Sequence, residues 1–161
     1  GRDLPDRPKL FVNTHPREME DGDGLIESLV KLREMTGNTR LVLEIHEAAV
    51  TNPNLMDELS AALKDLDIEL AYDDFGAGQA RLAELIAARP DYVKFDISLV
   101  RDIDSADEHR TRMLETLVRM VRDLDIRALA EGIETVEEAD CCNEIGFDLA
   151  QGFYYGRPSP I

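Results

Sequence analysis

The hydrophobic pattern of this chain switches repeatedly between a period of two and a period near 3.6, so short strands must alternate with amphipathic helices. Strands are predicted at Lys9 to Thr14, Arg40 to Ile45, Ile68 to Asp73, Tyr92 to Asp96, Arg127 to Ala130 and Leu149 to Tyr154. Helical spacing links Leu25, Ile26, Leu29 and Leu32; then Leu55, Met56, Leu59, Leu63 and Leu66; then Leu82, Leu85 and Ile86; then Met113 to Leu124. A last helix follows Thr135, where Glu138 stands at the third helical position of a capping box. Regular strand and helix alternation implies a parallel sheet, open or closed as a barrel.

The placement of polar residues decides between those two forms. Asn13, Glu44, Asp73, Lys94, Glu131 and Gln151 lie within or just after the carboxyl-side half of six different predicted strands. Strand ends of that kind converge on the mouth of a parallel barrel, whereas an open sheet spreads them along an edge. The expected fold is therefore an α/β incomplete TIM-type barrel with about six of its eight βα units, since a whole barrel takes about 250 residues and this chain has 161. No linker or repeat divides the chain, so residues 1–161 are expected to form one domain with a flexible start over residues 1–8.

Composition excludes several classes. A net charge of −16 repels polyphosphate, which argues against binding to DNA or RNA polymers. No apolar run approaches the roughly 18 residues of a membrane span and no signal peptide is visible, so a cytoplasmic location is expected. Cys141 and Cys142 are adjacent in a helical pattern and read as small core residues. His15, His46 and His109 lack a zinc spacing, and no serine, histidine and acid pattern supports covalent catalysis.

The chemistry concentrates in Asp73-Asp74-Phe75-Gly76, two acids and a glycine at a strand end. Adjacent strand residues face opposite sides, so at least one acid is expected to point inward. Paired carboxylates resist ionisation unless a cation lies beside them, and hard cations take oxygen ligands; the competing reading is a turn. Asn13 at a strand tip, Glu44 and Glu47 extend the oxygen-rich set, although a turn cap, an arginine partner or a helix start explains each one singly. Lys94 alternates with Val93 and Phe95 in an apolar strand, with Asp96 expected on the same side, so it needs an acidic partner or a lowered pKa. It suits a general acid and base role at a metal site, or a salt bridge. Glu131-Gly132-Ile133-Glu134 and Gln151-Gly152 bring polar groups beside glycines that permit close approach, or form ordinary loop turns.

Taken together, Leu10 to Asn13, Leu43 to Glu47, Asp73 to Gly78, Lys94 to Ser98, Ala130 to Thr135 and Gln151 to Pro158 resemble the EAL domain family in order and spacing. Those bacterial phosphodiesterases open cyclic di-GMP to linear pGpG. The resemblance implies a modified triose-isomerase-type barrel with two Mg2+ or Mn2+ ions. It implies that Asn13, Glu44 and Asp73 bind one ion, and that Asp73 with Asp74 reaches the second. By the same resemblance Lys94 would hold the nucleophilic water, Glu131, Glu134 and Gln151 would complete the site, and Glu47 would brace the following loop; Asp96, expected on the same side as Lys94, would stand behind these groups. Two cations also solve a charge problem, letting an acidic protein attack an anion.

The sequence departs from the family pattern in places. The Glu-Ala-Leu signature is expected upstream of Lys9, and Gly1 to Pro8 does not resemble it. Ala77, Gln79, Ala80 and Arg81 stand where the family usually has Thr, Tyr, Ser and Ser, and His46 replaces a threonine. The expectation is thus the carboxyl-terminal two-thirds of such a domain, weakly active or inactive alone and self-associating through exposed strand edges. The alternative is a non-catalytic module that binds cyclic di-GMP or a protein partner.

Overall fold

The computed structural model describes residues 9–14, 22–46, 53–76, 85 and 88–157. Six strands occur: β1 (Lys9–Asn13), β2 (Arg40–His46), β3 (Ile68–Phe75), β4 (Tyr92–Phe95), β5 (Arg127–Ala130) and β6 (Leu149–Ala150). Among the described residues five α-helices accompany them: α1 (Gly22–Thr36), α2 (Pro53–Asp65), α3 (Ile97–Val100), α4 (Glu108–Asp123) and α5 (Val136–Ile145). The sheet order is the chain order, the connectivity of an incomplete TIM-type (β/α) barrel with six units. Of the helical pattern at Leu82, Leu85 and Ile86, only Leu85 is among the described residues, and it is buried.

The chain divides into two compact units, with β3 passing from one into the other: residues 1–71 and 83–90, and residues 72–82 and 91–161. In the first, β1 pairs parallel with β2, with Asn13 opposite Glu44. Leu25 and Leu29 of α1 and Met56, Leu59 and Leu63 of α2 are buried, the apolar faces their helical spacing predicts. Arg33 closes the end of α1 by donating to the carbonyls of Leu66, Gly37, Thr39 and Asp67. Those acceptors include orphan carbonyls beyond the helix end, where a cation also complements the dipole.

In the second unit β4, β5 and β6 pair in parallel. All four residues of β4 are buried, as expected for a parallel strand covered on both faces. Phe75 and Phe147 each meet Phe95 edge to face, with centroids 5.2 and 5.1 Å away. Leu114, Val118 and Val121 bury one stripe of α4, while Met113 stays exposed on its flank. Burial pushes the Cys142 thiol up to about 12, and neither cysteine is bonded to the other. That is the core role expected of it.

Every strand but β5 ends elsewhere than the sequence expectation: β1 stops at Asn13, β2 runs on to His46 and β3 to Phe75, and β4 and β6 end early. β4 stops at Phe95, because Asp96 turns out as the N-cap of α3 and accepts from Ser98 N at 2.9 Å. β6 has only Leu149 and Ala150, because the chain folds back at Gly152. There Ile133 N donates to Gln151 O, Tyr154 N to Ile133 O and Tyr155 N to Gly152 O. These bonds replace a strand ladder with a turn.

Candidate metal centre

Strand β3 delivers Asp73 and Asp74 to the second unit in a way that simple alternation does not anticipate. Asp74 has φ +60°, a left-handed conformation that aspartate tolerates better than most residues. The kink breaks the pleat, so both acids face one site. Asp73, Asp74 and Glu131 each bring a carboxylate oxygen within 4.8 Å of the others. Gly76 follows with φ +91°, and a side chain there would run into Leu99.

Lys94 lies beneath this trio with 3% of its surface exposed. Its Nζ is 3.0 Å from Asp73 Oδ1 and 2.9 Å from Glu131 Oε1. Gln151 Nε2 donates to the same Glu131 oxygen at 2.7 Å. The buried lysine is therefore paired, as its strand position demands. Asp73 Oδ1 is buried yet accepts no hydrogen bond, so its approach to the ammonium is an ion pair without hydrogen-bond alignment.

Asp73, Asp74 and Glu131 set three carboxylates against the one ammonium of Lys94. Carboxylate oxygens within 4.8 Å of one another repel by about 3 kcal/mol or more per pair at an effective dielectric near 20. A divalent cation offsets that charge, and a set made only of carboxylate oxygens suits hard ions such as Mg2+ or Mn2+. With Asp73 Oδ1 left without a donor, the residues fit such an ion. Asp73, Asp74 and Glu131 would hold it.

Beside the trio a groove of about 430 Å³ is lined by Asp74, Asp96, Glu131, Glu134, Gln151 and Phe153, among others. Glu134 is held by Arg101 in a two-pronged pair, at 2.8 and 2.6 Å. Those hydrogen bonds keep the Glu134 carboxyl below its usual range and raise the Arg101 guanidinium above its own. Gly132, at φ +75°, lies so close to Ile97 that any side chain would overlap it. This closeness sets the turn that carries Glu131 and Glu134.

Asn13 and Glu44 belong to the first unit, where they are register partners on parallel strands and so share a face. Glu44 is buried, and its carbonyl accepts from both Thr14 N and Thr14 Oγ1. Asp96 spends its side chain on the α3 cap while lining the groove. Glu47 and residues 1–8 lie outside the described residues. Sequence reasoning missed Arg101, which is 33 positions from Glu134 and carries no local signal.

Comparison with known proteins gives consistent findings. A family model described as the EAL domain matches residues 2–158. The Escherichia coli (strain K12) protein named probable cyclic di-GMP phosphodiesterase PdeG is 36% identical over 120 residues, 73% of this chain and 23% of that protein. The same organism's probable cyclic di-GMP phosphodiesterase PdeN is 31% identical over 122 residues, 76% of this chain and 23% of that protein. Among solved structures, Klebsiella pneumoniae BlrP1 in a manganese and cyclic di-GMP complex matches with a TM-score of 0.81 and 32% identity, over 95% of this chain and 40% of that one. A calcium and cyclic di-GMP complex of BlrP1 matches equally well, with a TM-score of 0.82. The chain spans about a quarter of the length of these curated relatives. Among the described residues no helix is long and apolar enough to cross a membrane.

Proposed function

The chain belongs to the EAL domain family, and from that premise we propose that it is a cyclic di-GMP phosphodiesterase module working with two Mg2+ or Mn2+ ions. The observation that carries the reading is the meeting of Asp73, Asp74 and Glu131 around the buried Lys94, at the ends of three consecutive strands. Hydrolysis adds water across one P–O ester bond of the cyclic dinucleotide and leaves linear pGpG with a terminal phosphate. Bound divalent ions supply the positive charge that lets phosphate enter an acidic site, and make a water more acidic.

The residues of the chain divide the remaining work. Asp73 and Asp74, with Asn13 and Glu44, provide oxygen donors. Lys94 holds the attacking water by a hydrogen bond from its ammonium, and the adjoining Glu131 carboxylate receives the proton the water gives up. Gln151 fixes the Glu131 carboxylate by its amide, and Glu134, anchored by Arg101, closes the groove. Asp96 holds the start of α3. The protein acts in a bacterial signalling pathway and in the cytoplasm.

Self-association belongs to the same proposal. Among the described residues β6 pairs only with β5, and Leu149, Phe153, Tyr154 and Tyr155 beside it are exposed. A second copy covering that edge gives a dimer by gel filtration; a monomer at all concentrations refutes this part.

A second reading, binding of cyclic di-GMP without turnover, draws on Lys94 already contacting two of the three acids. Assays for pGpG with Mg2+ or Mn2+ separate the two. Release of pGpG that Asp73→Asn abolishes supports hydrolysis. Binding with no pGpG supports the second reading, and neither binding nor turnover rejects both.

A further inference from the structure

Glu138 is one of three buried charged or polar residues among those described, together with Glu44 and Lys94, and the proposed reaction gives it no task. Its exposure is 2%. A buried carboxylate is costly unless hydrogen bonds satisfy its oxygens. Both are satisfied by main chain: Oε1 accepts from Asp102 N at 2.9 Å and Oε2 from Glu134 N at 2.8 Å. A reciprocal capping box would send this side chain back to the Thr135 amide. Here Thr135 Oγ1 caps Glu138 N at 3.1 Å, and the carboxylate also reaches beyond its own helix start.

The two amides it joins are 32 positions apart and belong to the turns that carry the groove's ion pair. Arg101 precedes Asp102, and its guanidinium grips the Glu134 carboxylate. A closed ring results: Glu138 ties the backbones of Asp102 and Glu134, and Arg101 with Glu134 ties the same two turns by side chains. Arg110 fastens the Arg101 side of the ring by donating to Arg101 O at 2.6 Å and to Ser98 O at 3.1 Å. Glu131 starts the turn that ends at Glu134. With Gly132 forced close against Ile97, that turn has few other ways to settle.

We propose that Glu138 is a positioning residue: it holds the Glu131 to Glu134 turn against the Arg101 to Asp102 turn, and so presets Glu131 and Glu134 for cation and phosphodiester. Its effect on ligand rests on the functional reading above; its effect on the turn does not. Only its own replacement tests it, because its partners are main-chain amides. Burial alone pushes the Glu138 carboxyl up, but the amides of Glu134, Asp102 and Thr135 outweigh it and hold the group ionised, below its usual range.

The experiment uses the whole chain with Glu138→Ala and Glu138→Gln. Amide hydrogen exchange without ligand is read first. The Ala variant is expected to exchange at least tenfold faster at Glu134, Asp102 and the intervening turn residues, while β4 and β5 stay protected. The Gln variant, which keeps one acceptor oxygen, should fall between. Calorimetric titration of cyclic di-GMP with Ca2+ is read second, with an expected tenfold or greater loss of affinity in Ala and a smaller loss in Gln. Unchanged exchange across residues 131–134 overturns the proposal, as does global loss of protection in both variants, which marks a merely structural role. Faster turn exchange with unchanged ligand affinity overturns the link to the site. If the unsubstituted chain binds no cyclic di-GMP, the functional reading fails, and the exchange result alone judges whether Glu138 sets the turn.

Discussion

Replacing Lys94 with methionine removes the ammonium and keeps most of the side-chain volume. Its Nζ stands 3.0 and 2.9 Å from two carboxylates, on a side chain only 4% exposed. Removing one partner of a buried ion pair costs about 3 to 5 kcal/mol, because the other charge stays buried and uncompensated. Asp73 and Glu131 retain 20% and 15% of their side-chain exposure, which places the cost at the low end, about 3 kcal/mol. For a domain of this size each kcal/mol moves the melting point by roughly 2 to 4 °C, so a fall of roughly 6 to 12 °C is expected in EDTA. Addition of Ca2+ should restore more stability to Lys94→Met than to the unsubstituted chain, since the carboxylates have then lost the ammonium as a counter-charge. Thermal melts followed by circular dichroism in EDTA and in excess Ca2+ provide both numbers. An unchanged melting point in EDTA refutes the burial argument. Equal Ca2+ increments in the two chains refute the claim that ammonium and divalent ion share the same carboxylates.

Asp74→Asn keeps a residue suited to φ +60°, whereas Asp74→Ala does not; both should weaken Ca2+ binding by titration, but only Ala should cost about 1 kcal/mol by denaturant unfolding. Gly152→Ala puts a methyl group into the carbonyl and amide of Ile133; urea unfolding should report a loss of about 2 kcal/mol or more, and unchanged stability contradicts the packing. The depressed Glu138 carboxyl contributes stability that is present above the ordinary glutamate value of 4.5 and lost as pH falls through its lower folded value. Melting points between pH 6 and 3 should therefore fall more steeply for the unsubstituted chain than for Glu138→Gln, and parallel curves contradict that linkage.

Some of this architecture was readable from spacing because it depends on local periodicity. Val93, Lys94 and Phe95 alternate as a buried strand must, so the need of Lys94 for an acidic partner followed from burial cost alone. Thr135 and Glu138 likewise announced the start of α5. Local patterns say nothing, however, about where a long side chain ends, and the carboxylate of Glu138 reaches Asp102, 36 positions away. Alternation asked only that at least one of Asp73 and Asp74 point inward; the left-handed backbone at Asp74 goes further and turns both toward one site. Asp96 was expected inside a strand because it continues the alternation from Lys94, but aspartate competes for backbone amides and became a cap. The sequence reading carried β6 on to Tyr154. Gly152 instead brings the main chain against Ile133 and ends the ladder. Asn13 and Glu44 show what register does transmit: sequence placed each at a strand end, and parallel pairing set them side by side.

The central claim is that carboxylates gathered around Lys94 make phosphodiester binding depend on a divalent cation. Calorimetric titration of cyclic di-GMP into the chain, with Ca2+ and then with EDTA, measures this most directly. The account expects saturable binding in Ca2+ that disappears in EDTA and in Asp73→Asn. Equal binding in EDTA, or no binding with Ca2+, Mg2+ or Mn2+, contradicts it.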